Sequence, residues 1–170
     1  METLPLVELG NPKGKTLVFM SGFPDNQLSA FEGIITEFQK DYRILAMCFP
    51  DFDTAYKSPL SSPWGYSLQQ VVDMMAATIN RNVKKDEKVT LCIHDWGCVI
   101  GYLFENQHPT RVEKIIGCDV ALLAKDTMPL KTYLIVVSYQ LWFAHSFILA
   151  KLFGTAVGNI SMLLFMTLGK

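Results

Sequence analysis

Lys88-Val89-Thr90-Leu91-Cys92-Ile93-His94-Asp95-Trp96-Gly97-Cys98 holds the decisive transition of this chain. An apolar run, Val89 to Ile93, stops abruptly at a charged residue and then a small one. The run has the length and composition of a buried strand, and Gly97 to Gln107 reads as a helix. A carboxylate on a tight strand-to-helix turn is pushed into the open, with helix amides close behind it. That is a way to present a nucleophile. The plainer role for Asp95 is a helix N-cap, where aspartate is also favoured.

Working outward, the same alternation recurs. Thr16 to Met20 is a short apolar run and reads as a core strand, preceded by the turn Asn11-Pro12-Lys13-Gly14-Lys15. Ser21-Gly22-Phe23-Pro24-Asp25-Asn26 is loop. Phe31, Ile34, Ile35 and Phe38 then recur at helical spacing. Arg43 to Phe49 is a second core strand, and Pro50 to Tyr66 is a long loop rich in Pro and Ser. Ser67 caps a helix whose inward stripe is Leu68, Val71, Val72, Met75 and Ile79. Pro109 closes the helix after Asp95, and Val112 to Val120 is a further strand. Thr3 to Leu9 reads as an edge strand.

Strand and helix thus alternate three times. The expected fold is α/β: three layers, α/β/α, around a mostly parallel sheet covered on both faces. Ligands of such sheets bind at the carboxyl ends of the strands. Asp95, Ser21-Gly22-Phe23 and Asp119 all fall at those ends. A core of residues 1–126 is expected, followed by an apolar helical segment, 127–170. In the latter the full charges after Met128 are Lys131, Lys151 and Lys170. Tyr133 to Ala150 and Leu152 to Leu168 approach the length of a membrane span.

Composition narrows the function. Half of the 170 residues are apolar, 18% are charged, and the net charge is −1. Nothing here steers the chain toward nucleic acid. Cys48, Cys92, Cys98 and Cys118 form no CxxC pair and read as buried, reduced thiols, hence a cytoplasmic chain; membrane association is the alternative. No secretory leader is expected from an N-terminus carrying Glu2 and Pro5. Asp51 and Asp53 have no companion ligands, so no metal is expected. His145, in an apolar stretch, reads as a core residue.

His94-Asp95-Trp96-Gly97 resembles the nucleophile motif of epoxide hydrolases and haloalkane dehalogenases, both of the α/β-hydrolase fold. Ser21-Gly22-Phe23-Pro24 is similar to the oxyanion loop of the same group, usually His-Gly-Phe-Pro in epoxide hydrolases. Tyr139-Gln140-Leu141-Trp142-Phe143 resembles the segment of the helical cap that carries a ring-opening tyrosine. The resemblance spans about Thr16 to Phe143. It implies that Asp95 attacks carbon and forms an ester, and that the N–H groups of Phe23 and Trp96 bind the oxyanion when the ester is hydrolysed. It implies that Tyr139 donates to the epoxide oxygen, and that Asp119 is the acid that orients a histidine. Small apolar substrates and water are the implied partners, and the resemblance implies no cofactor.

Three departures stand out. Ser21 replaces the usual histidine. Ile93 is bulkier than the small residue common before the turn. The general-base histidine of the family lies after the cap, and none of His94, His108 and His145 occupies that place, so the chain reads as ending within the cap. A carboxylate attacks without a base, but cleaving the ester needs one to activate water. The expectation is an epoxide-hydrolase-like enzyme impaired in turnover. The alternative is a non-catalytic homologue that binds a ligand, a partner, a membrane surface or itself through residues 128–170.

Overall fold

A computed structural model describes residues 2–23, 25–53, 64–118 and 129–168. Five strands, β1 (Leu6–Gly10), β2 (Thr16–Met20), β3 (Arg43–Met47), β4 (Val89–His94) and β5 (Val112–Cys118), form one sheet in the order β1-β3-β2-β4-β5. β1 runs antiparallel to β3 at one edge, and all other pairs are parallel. The mostly parallel α/β sheet expected from the alternation is therefore present. Its central strands are mostly apolar because both of their faces are shielded from water.

Strand alternation sorts the core into two layers. Val18, Met20, Leu45, Met47, Leu91 and Ile93 pack with helices α2 (Leu68–Asn82) and α3 (Trp96–Gln107). Leu17, Phe19, Ile44, Ala46 and Cys92 face the opposite way and pack on Phe31 and on Ile35 of α1 (Glu32–Phe38). Ser67 begins α2 with a reciprocal capping box: its hydroxyl accepts the Gln70 N–H, and the Gln70 side chain accepts the Ser67 N–H. Leu68, expected on the inward stripe, is 44% exposed. It sits in the first turn of α2, while the rest of the stripe, from Val71 on, is buried.

The α1 layer covers less of the sheet than the alternation led one to expect. Ile34 and Phe38 of α1 are exposed, as is Ile116 of β5. Together with Leu17, Phe19 and Cys92 they line an open apolar groove of about 650 Å³. Cys118 lines it too and is exposed, against the expectation that all four thiols are buried; it ends the edge strand β5. Cys48, Cys92 and Cys98 are buried, and none of the four cysteines forms a disulfide.

Two units can be separated, Met1–Ala121 and Leu122–Lys170. The expected boundary at 126/127 lies outside the described residues. The second unit pairs helices α4 (Leu130–Phe153) and α5 (Thr155–Leu168), joined at Gly154 with φ +95°. Their seam combines small and hydroxyl residues with aromatic ones, Trp142 and Phe143 packing on Phe165. The Ser146 and Ser161 hydroxyls lie 2.8 Å apart, Trp142 Nε1–H donates to the Ser161 carbonyl, and a Cβ on Gly158 would press on Ala150. The other faces are bare, with Leu134, Leu141, Ile148, Leu152, Leu163 and Met166 exposed. α4 is long and apolar enough to cross a membrane by length and composition. His145, expected in the core, is exposed and turns its ring toward Trp142.

Candidate active site

β4 ends at His94 and α3 begins at Trp96, so Asp95 alone turns the chain. It does so with φ 50° and ψ −129°, the one positive φ among the described residues other than glycine. A non-glycine residue held there costs about 1–3 kcal/mol, which surrounding contacts must offset. Those contacts are visible. The Cys118 carbonyl, at the end of β5, accepts the Asp95 N–H at 3.4 Å and the Cys98 thiol at 3.3 Å. The Asp95 carbonyl accepts the Cys98 N–H at 2.9 Å, which starts α3. Gly97 has no room for a side chain, because a Cβ there would strike the Met20 carbonyl.

Asp95 does not act as a side-chain N-cap of α3. Its carboxylate turns instead toward the loop after β2 and accepts the Phe23 N–H at 2.7 Å through Oδ2. Asp95 is half-buried, neither sunk in the core nor fully in solvent. Gly22 makes this approach possible: a Cβ there would collide with Asp95 Oδ2 and come within 2.6 Å of the Trp96 nitrogen. The Asp95 carboxylate, which holds the Phe23 N–H, and the Trp96 backbone nitrogen thus both border the space that Gly22 leaves open. The first backbone N–H groups of a helix have no partner within it, so that of Trp96 is available to an incoming oxygen. The structure thus brings together Asp95, Phe23 and Trp96, three of the residues singled out from sequence.

Ser21, in place of histidine, is fully buried. Its hydroxyl lies 2.8 Å from the Asn26 carbonyl and 3.2 Å from that of Met47, and donates to one or the other. It ties the loop after β2 to the end of β3. Ile93 is also accommodated. Its side chain fills the space over Gly101 of α3, where a Cβ would come within 2.8 Å of it. Gly101 leaves on the helix the room that Ile93 fills from the strand, a match that inspection of the turn alone does not reveal.

Of the remaining expected site residues, Tyr139 lies on α4 of the second unit, half-buried against Phe143 with ring centroids 5.6 Å apart. Asp119 lies outside the described residues. Asp53 is engaged as an acceptor of Gln27 Nε2–H at 2.6 Å. His108 ends α3, whose 12 residues carry it about 18 Å along the helix axis from Asp95, and its ring packs on Phe104. His94 turns Nδ1 toward Asp25, and its ring packs beside Phe31 in a T-shaped contact. Two groups near the site escaped the sequence reading: the Cys98 thiol, as a brace of the elbow, and Asp25, whose carboxylate faces His94 at 3.9 Å.

No protein-family model matches the chain. Among curated proteins it is similar to epoxide hydrolase 3 of Mus musculus, 28% identical over 116 residues, 66% of this chain and 29% of that protein. It is also similar to the cis-3-alkyl-4-alkyloxetan-2-one decarboxylase of Shewanella oneidensis, 34% identical over 74 residues, 42% of this chain and 23% of that protein. Among solved structures, a Bacillus megaterium epoxide hydrolase in complex with an inhibitor matches 96% of this chain and 57% of its own, with a TM-score of 0.71 at 19% identity. A marine microorganism esterase matches 82% of this chain and 51% of its own, with a TM-score of 0.62 at 17% identity. The chain thus spans about half the length of these solved structures, and its matched segments span less than a third of the curated relatives. The chain has the α/β-hydrolase fold, and epoxide hydrolases are among the proteins it is similar to.

Proposed function

We propose that Asp95 is a nucleophile that opens epoxides, or related strained esters, on small apolar substrates. One observation carries this reading: a carboxylate on a strained elbow, half-buried, bonded at 2.7 Å to the N–H of the facing loop. In the first step an Asp95 oxygen bonds to a ring carbon. The carbon–oxygen bond of the ring breaks, its electron pair stays on oxygen, and that oxygen takes a proton. By resemblance the donor is Tyr139. The product is a hydroxyalkyl ester of Asp95. In the second step water adds to the ester carbonyl, the N–H groups of Phe23 and Trp96 hold the oxyanion, and the diol leaves as the carboxylate returns. Neither step as written calls for a metal or cofactor.

The second step needs a base. Among the described residues this reading assigns none: His94 turns Nδ1 toward Asp25, and His108 is a helix length distant. The expected behaviour of this chain is alkylation once per molecule, followed by a stall. Intact-mass measurement over time with an excess of an aryl epoxide tests it. A single added mass per chain that builds to a plateau, absent in Asp95→Asn, supports the reading. Sustained diol release over many equivalents overturns the stall.

The bare faces of α4 and α5 favour a second reading, a homologue held to a membrane or partner through residues 128–170. Otherwise we place the chain in the cytoplasm, where thiols stay reduced. Alkaline carbonate washing of cell membranes decides between the two. Full release counts against insertion, and retention in the pellet supports it.

A further inference from the structure

Neighbouring residues of the elbow meet the oxyanion turn at two points. Asp95 holds the first, the Phe23 N–H. His94 faces the second: its Nδ1 lies 3.9 Å from Asp25 Oδ2. This nitrogen is closed off from solvent and has no hydrogen-bond partner. The gap is about 1 Å longer than a hydrogen bond. The Phe31 ring, edge-on at 6.1 Å between centroids, packs beside the imidazole. Asp25 is itself anchored from behind. Its N–H donates to the Gly22 carbonyl at 3.1 Å, and Oδ1 accepts the Ser29 hydroxyl at 2.8 Å. Asn26 Oδ1 in turn accepts the N–H groups of Leu28 and Ser29. Asp25 is thus a fixed post in a turn that carries Phe23.

A buried ring nitrogen without a partner is unfavourable, and a short movement of the imidazole would satisfy it. Among the described residues the titratable groups around His94 are Asp25, the adjoining Asp95, and Cys118, which stands in register with it on β5. Asp95 is turned to Phe23, and the backbone carbonyl of Cys118 braces the elbow. Asp25 is left as the acceptor for Nδ1.

We propose that His94 and Asp25 form a positioning pair: Nδ1–H donates to the Asp25 carboxylate and holds the Gly22–Asp25 turn against the elbow while Asp95 is esterified. The need follows from the chemistry proposed above, on which this inference rests. An ionised Asp95 grips the Phe23 N–H with a charge-assisted hydrogen bond, roughly twice as strong as a neutral one. Esterification removes that charge just before the Phe23 N–H is required to hold the oxyanion. A second grip, two residues along the turn, keeps it in place.

The ¹⁵N resonances of the His94 ring test this without reference to activity. The unaltered chain is expected to show a proton on Nδ1, and Asp25→Ala to move it to Nε2. Amide exchange at Phe23 should rise by about tenfold in His94→Phe, the scale of one hydrogen bond to a charged group. In the alkylated chain, loss of the adduct mass at alkaline pH should slow by about tenfold in Asp25→Ala and His94→Phe. Formation of the adduct should change by less than about twofold, and Asp25→Glu should restore the breakdown rate. A ring proton on Nε2 in the unaltered chain, or breakdown rates equal across these variants, overturns the pair. If the unaltered chain forms no adduct at all, it is the nucleophile reading that fails, and the ring resonances still decide the pair.

Discussion

Asp95 occupies a backbone conformation that a side chain rarely adopts, and the residues around it exist to make that bearable. Gly22 and Gly97 are the two positions where any side chain would occupy the space the elbow needs. Gly22→Ala is therefore expected to reduce epoxide adduct formation by about a hundredfold or more, because its methyl group displaces the carboxylate. The same variant should lose the slow exchange of the Phe23 amide, which hydrogen exchange reads directly. The buried thiols give a second expectation. Burial, and next the charge of Asp53, pushes the Cys48 thiol from 9.0 up to about 12. Burial, and next Cys118, pushes Cys92 up to about 11. Above pH 9 the unfolded chain loses these protons while the folded chain keeps them. Stability should thus be unaffected by these groups below pH 9, then fall as the pH rises toward 11 to 12. The slope is at most about 1.4 kcal/mol per pH unit per thiol. Denaturant midpoints between pH 8 and 11 measure this, and Cys48→Ala or Cys92→Ala should flatten the decline. At this scale Asp95 and Phe23 were legible in sequence because motif and loop point to each other. The roles of Ser21, Cys98 and Asp25 were not, since each depends on where a loop brings a distant carbonyl or ring.

Elements that the core covers on both sides were the easiest to read. β2, β3 and β4 are mostly apolar, with Thr90 the one polar residue inside them and Thr16, Arg43 and His94 at their ends, because shielded strands need no polar face. α2 announced itself through Ser67, and Ser67→Ala is expected to lower stability by about 0.5–2 kcal/mol through loss of the capping box. Chemical denaturation would detect that change. Errors collected where coverage fails. Leu68 lies in the first turn of α2, and Ile34 and Phe38 face a groove instead of a layer. An apolar pattern records that a face is to be covered and leaves unstated by what. The contact of Ile93 with Gly101 offers a cleaner test of packing between β4 and α3. Gly101→Ala should destabilise by about 1–3 kcal/mol through overpacking. Adding Ile93→Val should recover part of that loss, and a double-mutant cycle quantifies the coupling.

The molecule as a whole carries more bare apolar surface than is usual for a free-standing domain. The faces of α4 and α5 outside their serine and glycine seam are exposed, and so is the groove beside β5. Concentration-dependent self-association is expected in sedimentation velocity, diminished by mild detergent. A monodisperse monomer at high concentration without detergent would contradict it. The α/β architecture was readable from strand and helix alternation. The change of texture after Thr127 is visible in the sequence, while the expected boundary lies outside the described residues.

The most direct test of the central claim is the site of covalent attachment. After incubation with a reactive epoxide near neutral pH, peptide fragmentation should place the added mass on the carboxylate of Asp95. Asp95→Asn should remain unmodified there. Attachment confined to the exposed thiol of Cys118, unchanged by Asp95→Asn, would show that the elbow presents no working nucleophile.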